Sequence, residues 1–226
     1  MIRMASEEYV KEVFRNIHSK YDLIDSIISF GMDEPWRNRM IAIIDREDIH
    51  DILDCGAGTG KLSRKLVQRF PLANVTALDI SGDMLSFIHD NRIRPITASA
   101  MDMPFENGSF DLITSAFLTR NVPDRNAYFS EVRRLLRPKG LFINLDIHLP
   151  ENHVLRKLFS IYFLKLVPAF GDMVSGSSSY TYLSASVRNF VSPQRLSEEI
   201  MHAGFKPAYL SIRAIGSISI GKYIKI

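Results

Sequence analysis

The stretch LDCGAGTG, residues 53–60, has the residue types and spacing of a ligand-binding loop. Its three glycines alternate along the chain, at Gly56, Gly58 and Gly60. Alternating glycines let a backbone turn tightly and lie close against a bound molecule. The G-x-G-x-G spacing departs from the dinucleotide fingerprint, and Lys61 is not followed by the serine or threonine of a phosphate-binding P-loop. The loop therefore favours a different ligand.

Two carboxylates indicate what that ligand is. Asp54 lies directly under the loop, where it would repel a pyrophosphate but suits a ligand that carries an amino group and a sulfonium. Asp79 ends the next predicted strand, where an acid accepts hydrogen bonds from both hydroxyls of an unphosphorylated ribose. Together these residues predict a site for S-adenosylmethionine (SAM). The alternative is a strand–turn–helix loop that holds no ligand.

Apolar strand-like runs and helical patterns alternate from residue 49 onward. Predicted strands cover 49–55, 74–80, 94–99, 110–117 and 140–147, and two closing strands cover 206–212 and 216–224. Helices are predicted between them, one of which Asp124 caps. This alternation is typical of an α/β fold in which helices cover both faces of a parallel sheet.

The remaining segments are predicted to be helical attachments to one domain over residues 1–226. Residues 1–45 form an N-terminal helical cap in this prediction, and residues 150–190 form a helical insertion after the fifth strand. The sequence shows neither a signal peptide nor an apolar run of about 18 to 20 residues that would span a membrane. The single cysteine, Cys55, fits a cytoplasmic protein without disulfides. A net charge of +3 permits an anionic partner but does not require one.

Longer stretches extend the pattern well beyond the glycine loop. They are VFRNIHSKYDLIDSIISFGMDEPWR, LDISGDML, MPFENGSFDLITSAF, TRNVPDRNAYFSEVRRLLRPKG and SSYTYLSASVRNF. With these, the sequence resembles the UbiE/MenG family, the C-methyltransferases of ubiquinone and menaquinone biosynthesis. The resemblance implies a Rossmann-like class I SAM methyltransferase sheet, mostly parallel, with seven strands of which the last is antiparallel. It also implies SAM as the cofactor and a prenylated quinol, such as demethylmenaquinol, as the substrate.

The resemblance also implies which residues hold the cofactor. Thr59 would contact SAM in the loop, Asp79 would hold the ribose, and Ser99 and Ala100 would lie beside the adenine. Tyr21 would belong to a lid over SAM, with a simple turn as the alternative. The complete predicted set is Asp54, Gly56, Gly58, Thr59, Gly60, Asp79, Ser99, Ala100 and Tyr21. Ala116 stands where the family has a serine, so that contact is lost. Leu118 and Thr119 replace a Gly-Leu pair, which is expected to reshape the acceptor pocket.

Methylation of an aromatic ring carbon requires an electron-rich acceptor, as a hydroquinone becomes when it loses a phenolic proton. Arg120 is the predicted stabiliser of that phenolate, and Asn121 is a predicted orienting group. The alternatives are a surface salt bridge for Arg120 and a turn residue for Asn121. Asp146 and His148, at the end of the fifth strand, form a candidate pair for accepting the phenolic proton. A polar histidine at the rim is the alternative for His148.

Residues 154–170 are unusually apolar, with Arg156, Lys157 and Lys165 among them. One interpretation is a tunnel wall or a peripheral membrane-facing surface for an isoprenoid tail. The other is a helix that packs on the sheet or at a homodimer interface.

Three other functions compete with quinol methylation. The fold changes substrate readily, so another small molecule is the nearest alternative. RNA methylation is less favoured, because the fourth strand lacks an Asn/Asp-Pro-Pro-aromatic motif, and no nucleic-acid partner is expected. A SAM-binding regulator without catalysis is the third alternative, and turnover distinguishes it. The histidines show no metal-ligand spacing, so no metal is predicted.

Overall fold

The computed structural model describes residues 6–17, 26, 27, 29–176 and 178–226. Its centre is a seven-stranded sheet in the order β3-β2-β1-β4-β5-β7-β6. The strands are β1 (Asp51–Cys55), β2 (Asn74–Asp79), β3 (Ile93–Thr97), β4 (Phe110–Ala116), β5 (Leu136–Ile147), β6 (Phe205–Arg213) and β7 (Ile218–Lys225). Strand β7 pairs antiparallel with both β5 and β6, whereas the pairs among β1 to β5 are parallel. The predicted fold class is confirmed.

Helices flank this sheet and extend beyond its carboxyl edge. They are α1 (Glu7–Ile17), α2 (Asp33–Ala42), α3 (Lys61–Arg69), α4 (Gly82–Leu85), α5 (Arg125–Leu135), α6 (His153–Ile161), α7 (Val167–Ser175), α8 (Ser179–Arg188) and α9 (Pro193–His202). A π-helical turn, Tyr162–Leu166, joins α6 to α7. Asp124 caps α5 as predicted, because its side chain accepts from the N–H groups of Asn126 and Ala127.

The two faces of the sheet each bury an apolar cluster. Successive strand residues point to opposite faces, so Ile52 and Leu53 of β1 enter different clusters. Ile52 packs in the cluster that holds Leu66 of α3, whereas Leu53 shares its cluster with Phe129 of α5. Burial on both faces explains the adjacent apolar pairs Ile52–Leu53 in β1 and Leu112–Ile113 in β4.

The strand order turns at β1, which lies between β2 and β4. In open α/β sheets, ligands bind at the carboxyl ends of the strands beside such a turning point. The glycine loop directly follows β1, and Asp79 is the last residue of β2, so both lie at this edge. The sheet therefore brings the predicted cofactor residues together.

Some predicted boundaries differ from the structure. Strand β5 begins at Leu136, before the predicted residue 140, and the helix predicted near 82–90 ends at Leu85. Segments 1–45 and 150–190 contribute α1 and α2 and α6 to α8, and the division of the chain into one domain with a cap and an insertion stays a prediction.

Candidate active site

A narrow cleft lies over the glycine loop, at the carboxyl ends of β1, β2 and β4. The predicted residues that line it are Asp54, Gly56, Gly58, Thr59, Asp79, Ala100 and Asn121. Helix α1 closes the cleft from above through Glu7, Val10 and Phe14. Leu78, Met84 and Ala100 form an apolar wall suited to a flat base. Residues from several distant parts of the chain thus form one site.

Glycine is required in the loop for packing as well as for the ligand. Gly56 has φ +68°, and a Cβ there would come within 2.8 Å of Leu118 Cβ. At Gly60, with φ +80°, an added Cβ would lie 2.7 Å from Ile88 Cγ1. Gly60 is not among the lining residues, so its place in the motif is explained by its contact with Ile88.

Asp79 presents a half-buried carboxylate to the cleft. One oxygen accepts from Gly58 N–H and the other from Ser81 N–H, both at 2.9 Å. Burial raises the pKa of Asp79 even though these N–H groups oppose the shift. Each carboxylate oxygen has a second lone pair, so the group retains acceptor capacity for two ribose hydroxyls.

Asp54 is fully buried beneath the loop and is held by two hydroxyl groups. Ser63 Oγ donates to one carboxylate oxygen at 2.6 Å, and Thr114 Oγ1 donates to the other at 3.0 Å. Burial raises the pKa of Asp54 to about 6, against the opposing effects of both hydroxyls and of Arg37. A cationic group in the cleft would favour the charged carboxylate.

A second, apolar cavity of about 320 Å³ adjoins the cleft. Its lining includes Trp36 of α2 and Phe159, Tyr162, Phe163 and Val167 from the α6–α7 segment, with Arg120 in the wall. Phe117 lines both the cleft and this cavity. Its φ of +63° is strained for a residue other than glycine, and such strain concentrates at functional sites. The two spaces therefore meet at Phe117.

Arg120 forms a buried ion pair at this junction. Its Nη1 donates to Asp146 Oδ1 at 2.7 Å and to the carbonyl of Phe117 at 2.8 Å. Asp146 is fully buried and also accepts the backbone N–H of Arg120 at 3.1 Å. Arg120 Nε is buried and has no hydrogen-bond partner among the described residues. The guanidinium is thus held in place and keeps a donor unused.

Asn121 lies beside Arg120 in the wall of the cleft. Its Nδ2 donates to the carbonyl of Phe117 at 3.2 Å. Its buried Oδ1 has no partner within the part of the chain that the structure describes. A buried amide oxygen without a partner is unfavourable, so a donor on a bound ligand would satisfy it.

These features fit SAM, whose parts differ in chemistry along its length. The cleft offers an apolar wall for a base, a carboxylate for ribose hydroxyls, and a second carboxylate and an unused amide oxygen beyond them. The sequence model of the ubiE/COQ5 methyltransferase family matches residues 2–225. The chain belongs to this family.

Individual relatives agree with this assignment. A demethylmenaquinone methyltransferase from Thermotoga maritima is 36% identical over 93% of this chain and 95% of its own. A ubiquinone/menaquinone biosynthesis C-methyltransferase from Geotalea daltonii is 34% identical over 88% of each chain. A SAM-dependent methyltransferase from Aquifex aeolicus, 12% identical, shares the fold with a TM-score of 0.62 over 91% of this chain and 98% of its own. The ubiE/COQ5 protein described here is thus a SAM-dependent methyltransferase.

His148 is enclosed within the protein, and both of its ring nitrogens have partners. Its ring is fully buried and stacks on Phe190, with the ring centres 5.0 Å apart. Nδ1 lies 2.7 Å from the carbonyl of Val191 and must carry the proton, so Nε2 accepts from Ser219 Oγ at 2.8 Å. Burial lowers the pKa of His148 despite the nearby Asp146. In this ubiE/COQ5 protein His148 joins the end of β5 to Val191 and to Ser219 of β7, and its role as a proton acceptor stays a prediction.

Ser99 and Thr119 do not line the cleft. Ser99 does not line the cleft, because its hydroxyl donates to Glu7 of α1. Tyr21 lies outside the described residues. Leu118 lines the cleft over the glycine loop and Thr119 donates to Asn144 at 2.7 Å, and neither lines the second, apolar cavity.

Sequence reasoning missed two cations of the cleft, Arg37 and Lys61. Lys61 directly follows the glycine loop, and Arg37 follows the tryptophan of the N-terminal motif. Each of these cations lies next to a sequence motif, and that position was the signal by which they could have been found.

Replacement of Asp54 by asparagine is expected to stabilise the ligand-free protein at neutral pH but to weaken SAM binding. The pKa of Asp54 is raised to about 6 in the folded state, so ionisation of this group lowers the free energy of unfolding as pH rises from about 4 to about 6. The loss then persists at higher pH. The gain at pH 7.5 is expected to reach up to about 3 kcal/mol. Denaturant unfolding at pH 7.5 and pH 4 measures it, and the gain should vanish at pH 4. A variant less stable at both pH values would contradict the prediction.

Proposed function

We propose that this methyltransferase transfers the methyl group of SAM to a ring carbon of a prenylated quinol such as demethylmenaquinol. The main support for this proposal is the apolar cavity of about 320 Å³, which meets the cofactor cleft at Phe117 and has the Arg120 guanidinium in its wall. A quinol has the matching parts, namely a flat apolar body and an oxygen that becomes anionic. The Thermotoga maritima relative is a demethylmenaquinone methyltransferase, which supports this substrate class.

The residues of the site have distinct roles in this proposal. Bound SAM supplies a methyl group already activated by its positively charged sulfur. Arg120 stabilises the phenolate charge that makes the ring carbon nucleophilic, and the Asp146 carboxylate fixes the guanidinium in place. The ring carbon takes the methyl group as its bond to sulfur breaks, the ring proton is released to water and restores the phenol, and S-adenosylhomocysteine is the second product. Phe117 separates the two spaces, and its carbonyl orients both Arg120 and Asn121.

The α6–α7 segment supports a prenylated acceptor and contact with a membrane surface. Its inner side lines the cavity, whereas its outer side exposes Val154, Leu158, Ile161, Leu166, Phe170 and Met173. Arg156, Lys157 and Lys165 are exposed on the same segment. Exposed apolar side chains with interspersed cations suit an anionic lipid surface. None of the described helices is both long and apolar enough to cross a bilayer.

Binding to vesicles tests the membrane contact. Leu158→Glu, at a side chain 60% exposed, is expected to lower co-sedimentation with phosphatidylglycerol-containing vesicles by about tenfold, the scale of burying one leucine. Leu72→Glu is the control, since Leu72 is 94% exposed and precedes β2 at the opposite edge of the sheet. Equal binding by both variants, or a dimer in solution that Leu158→Glu dissociates, would favour a protein interface instead.

Phe159 provides a test of the tail-binding wall. It lines the acceptor cavity and stacks on Phe163 with ring centres 5.3 Å apart. Phe159→Asp is expected to raise KM for a long-tailed quinol by about tenfold or more, because a carboxylate opposes the burial of an apolar tail. A tail-less analogue should show little change. An equal rise in KM for both substrates, or a lower melting temperature without a change in KM, would indicate that Phe159 serves only to pack the core.

Direct assay tests the reaction itself. Purified protein is incubated with SAM and demethylmenaquinol kept reduced, and the product is analysed by mass and by ring-proton NMR. One added methyl on a ring carbon is expected, and a strain lacking the protein should accumulate a quinone lighter by one methyl. Methylation on oxygen, or no turnover with any reduced quinone, would contradict the proposed substrate class.

A further inference from the structure

The acceptor cavity reaches the surface between two short turns. The first turn covers residues 29–32, just before α2, and the second is Ala214–Gly216, between β6 and β7. Among the described residues that line the cavity, those that are exposed all belong to these turns, namely Phe30, Met32, Ala214 and Ile215. Phe30 is 78% exposed and Ile215 is 58% exposed. We call these four residues the cavity mouth.

Both turns hold their residues in unfavourable backbone conformations. Phe30 has φ +53°, and Ala214 and Ile215 have φ +48° and +55°. This left-handed region is most costly for a β-branched residue such as isoleucine, whereas asparagine or glycine adopts it more readily. Burial in the core does not offset the cost, because the Phe30 and Ile215 side chains are mainly exposed. Backbone strain of this kind clusters at ligand-binding and switch regions.

The cavity mouth is continuous with the outer side of the α6–α7 segment. The Phe30 ring stacks on Tyr162 of the π-helical turn, with ring centres 5.5 Å apart. Lys165 of the same π-helical turn is exposed, and so is Arg213, which directly precedes the second turn of the mouth. Cations beside exposed apolar side chains match the phosphate groups and acyl chains of an anionic bilayer.

We propose that the cavity mouth inserts into an anionic lipid bilayer and is the port through which the isoprenoid tail of the acceptor enters the cavity. A port that opens within the bilayer lets the tail pass from one apolar medium to another without exposure to water. Insertion also buries the apolar surface that Phe30 and Ile215 expose. As a route for the tail, this port depends on the prenylated acceptor proposed above.

Tryptophan fluorescence measures whether the mouth enters a bilayer. Trp36 is the single tryptophan of the chain, so Trp36→Phe provides a background in which one new tryptophan reports its own surroundings. Phe30→Trp and Ile215→Trp place it at the mouth. Ile226→Trp is the matched control, because Ile226 is 76% exposed and follows β7 at the opposite edge of the sheet.

Vesicles of phosphatidylglycerol with brominated acyl chains quench a tryptophan that reaches those chains. They should quench both mouth tryptophans and leave the control tryptophan unquenched. Unquenched fluorescence at the mouth, or equal quenching of all three tryptophans, would overturn the proposal.

Ile215→Asn separates entry of the tail from stability. Asparagine tolerates φ +55° better than isoleucine does, so the variant should melt at the parental temperature or above it. Its KM for a long-tailed quinol embedded in vesicles should nevertheless rise by about tenfold, the scale of one apolar side chain that no longer enters lipid. A short-tailed quinol in solution should keep the parental KM. Ile226→Asn should change neither KM.

Three results of the kinetic experiment would also overturn the proposal. They are a parental KM in folded Ile215→Asn, an equal rise in KM for both acceptors, and a dimer in solution that Phe30→Asn dissociates, which would assign the mouth to a second copy of the chain. Failure of the proposed substrate class gives a different result, because the parent would then methylate neither quinol. Quenching by brominated lipid would still support or exclude insertion of the mouth.

Discussion

Arg120→Ala is expected to lower kcat by about 10²- to 10³-fold and to leave the dissociation constant of SAM unchanged. The guanidinium lines the acceptor cavity and not the cofactor cleft, so its removal affects the acceptor side. A donor that stabilises growing phenolate charge acts mainly in the transition state, so kcat falls more than ground-state binding does. Arg120→Lys should restore only part of the rate, since a point charge lacks the planar fork.

Because Arg120 forms an ion pair with Asp146, the Arg120→Ala experiment needs a control for lost stability. Truncation of Arg120 leaves a fully buried carboxylate without its charged partner, which lowers stability by about 3 to 5 kcal/mol in comparable pairs. The double variant Arg120→Gln with Asp146→Asn removes both charges and should melt closer to the parent, yet still lose the rate. Arg125→Ala is the matched control, because Arg125 pairs with Glu199 at 2.7 Å and does not line the acceptor cavity. Parental single-turnover rates in a folded double variant would exclude Arg120 as the phenolate stabiliser.

Asp79→Ala is expected to weaken SAM binding by about 2 to 3 kcal/mol, or about 30- to 150-fold. The carboxylate faces the cleft at the end of β2, where it can accept both ribose hydroxyls. Asp79 also accepts the N–H groups of Gly58 and Ser81, so removal of its side chain disturbs the loop as well. Asp79→Asn preserves the shape and should lose less.

Two measurements separate the ribose contact from the loop contact. An S-adenosylhomocysteine analogue without ribose hydroxyls should bind parent and Asp79→Asn about equally, whereas the natural compound should discriminate between them. Parental affinity should fall as pH is lowered through the raised pKa of Asp79, since only the ionised carboxylate accepts from both hydroxyls. Asp83→Asn, at an exposed residue of α4, is the control. Unchanged affinity in folded Asp79→Ala would remove Asp79 from the site.

Local sequence patterns were sufficient for the fold and for bringing several of the predicted residues to one edge of the sheet. Apolar runs that alternate with helical patterns predict the parallel sheet, because the spacing of apolar residues within each element indicates which of its faces is buried. Asp54, Gly58 and Asp79 lie at or just after strand ends, and parallel strands bring their carboxyl ends to one edge. Their meeting in the cleft therefore follows from topology alone.

Tertiary structure alone decided which side chains pair across the site. Arg120 reaches Asp146 and His148 reaches Ser219, over separations of 26 and 71 residues. The sequence placed His148 near Asp146, but packing enclosed its ring and engaged both nitrogens. Lys61 gained its place beside Arg37 only when α2 packed over α3. A residue's type and spacing determine what chemistry it can perform, whereas burial and partners from distant segments determine whether that chemistry is available.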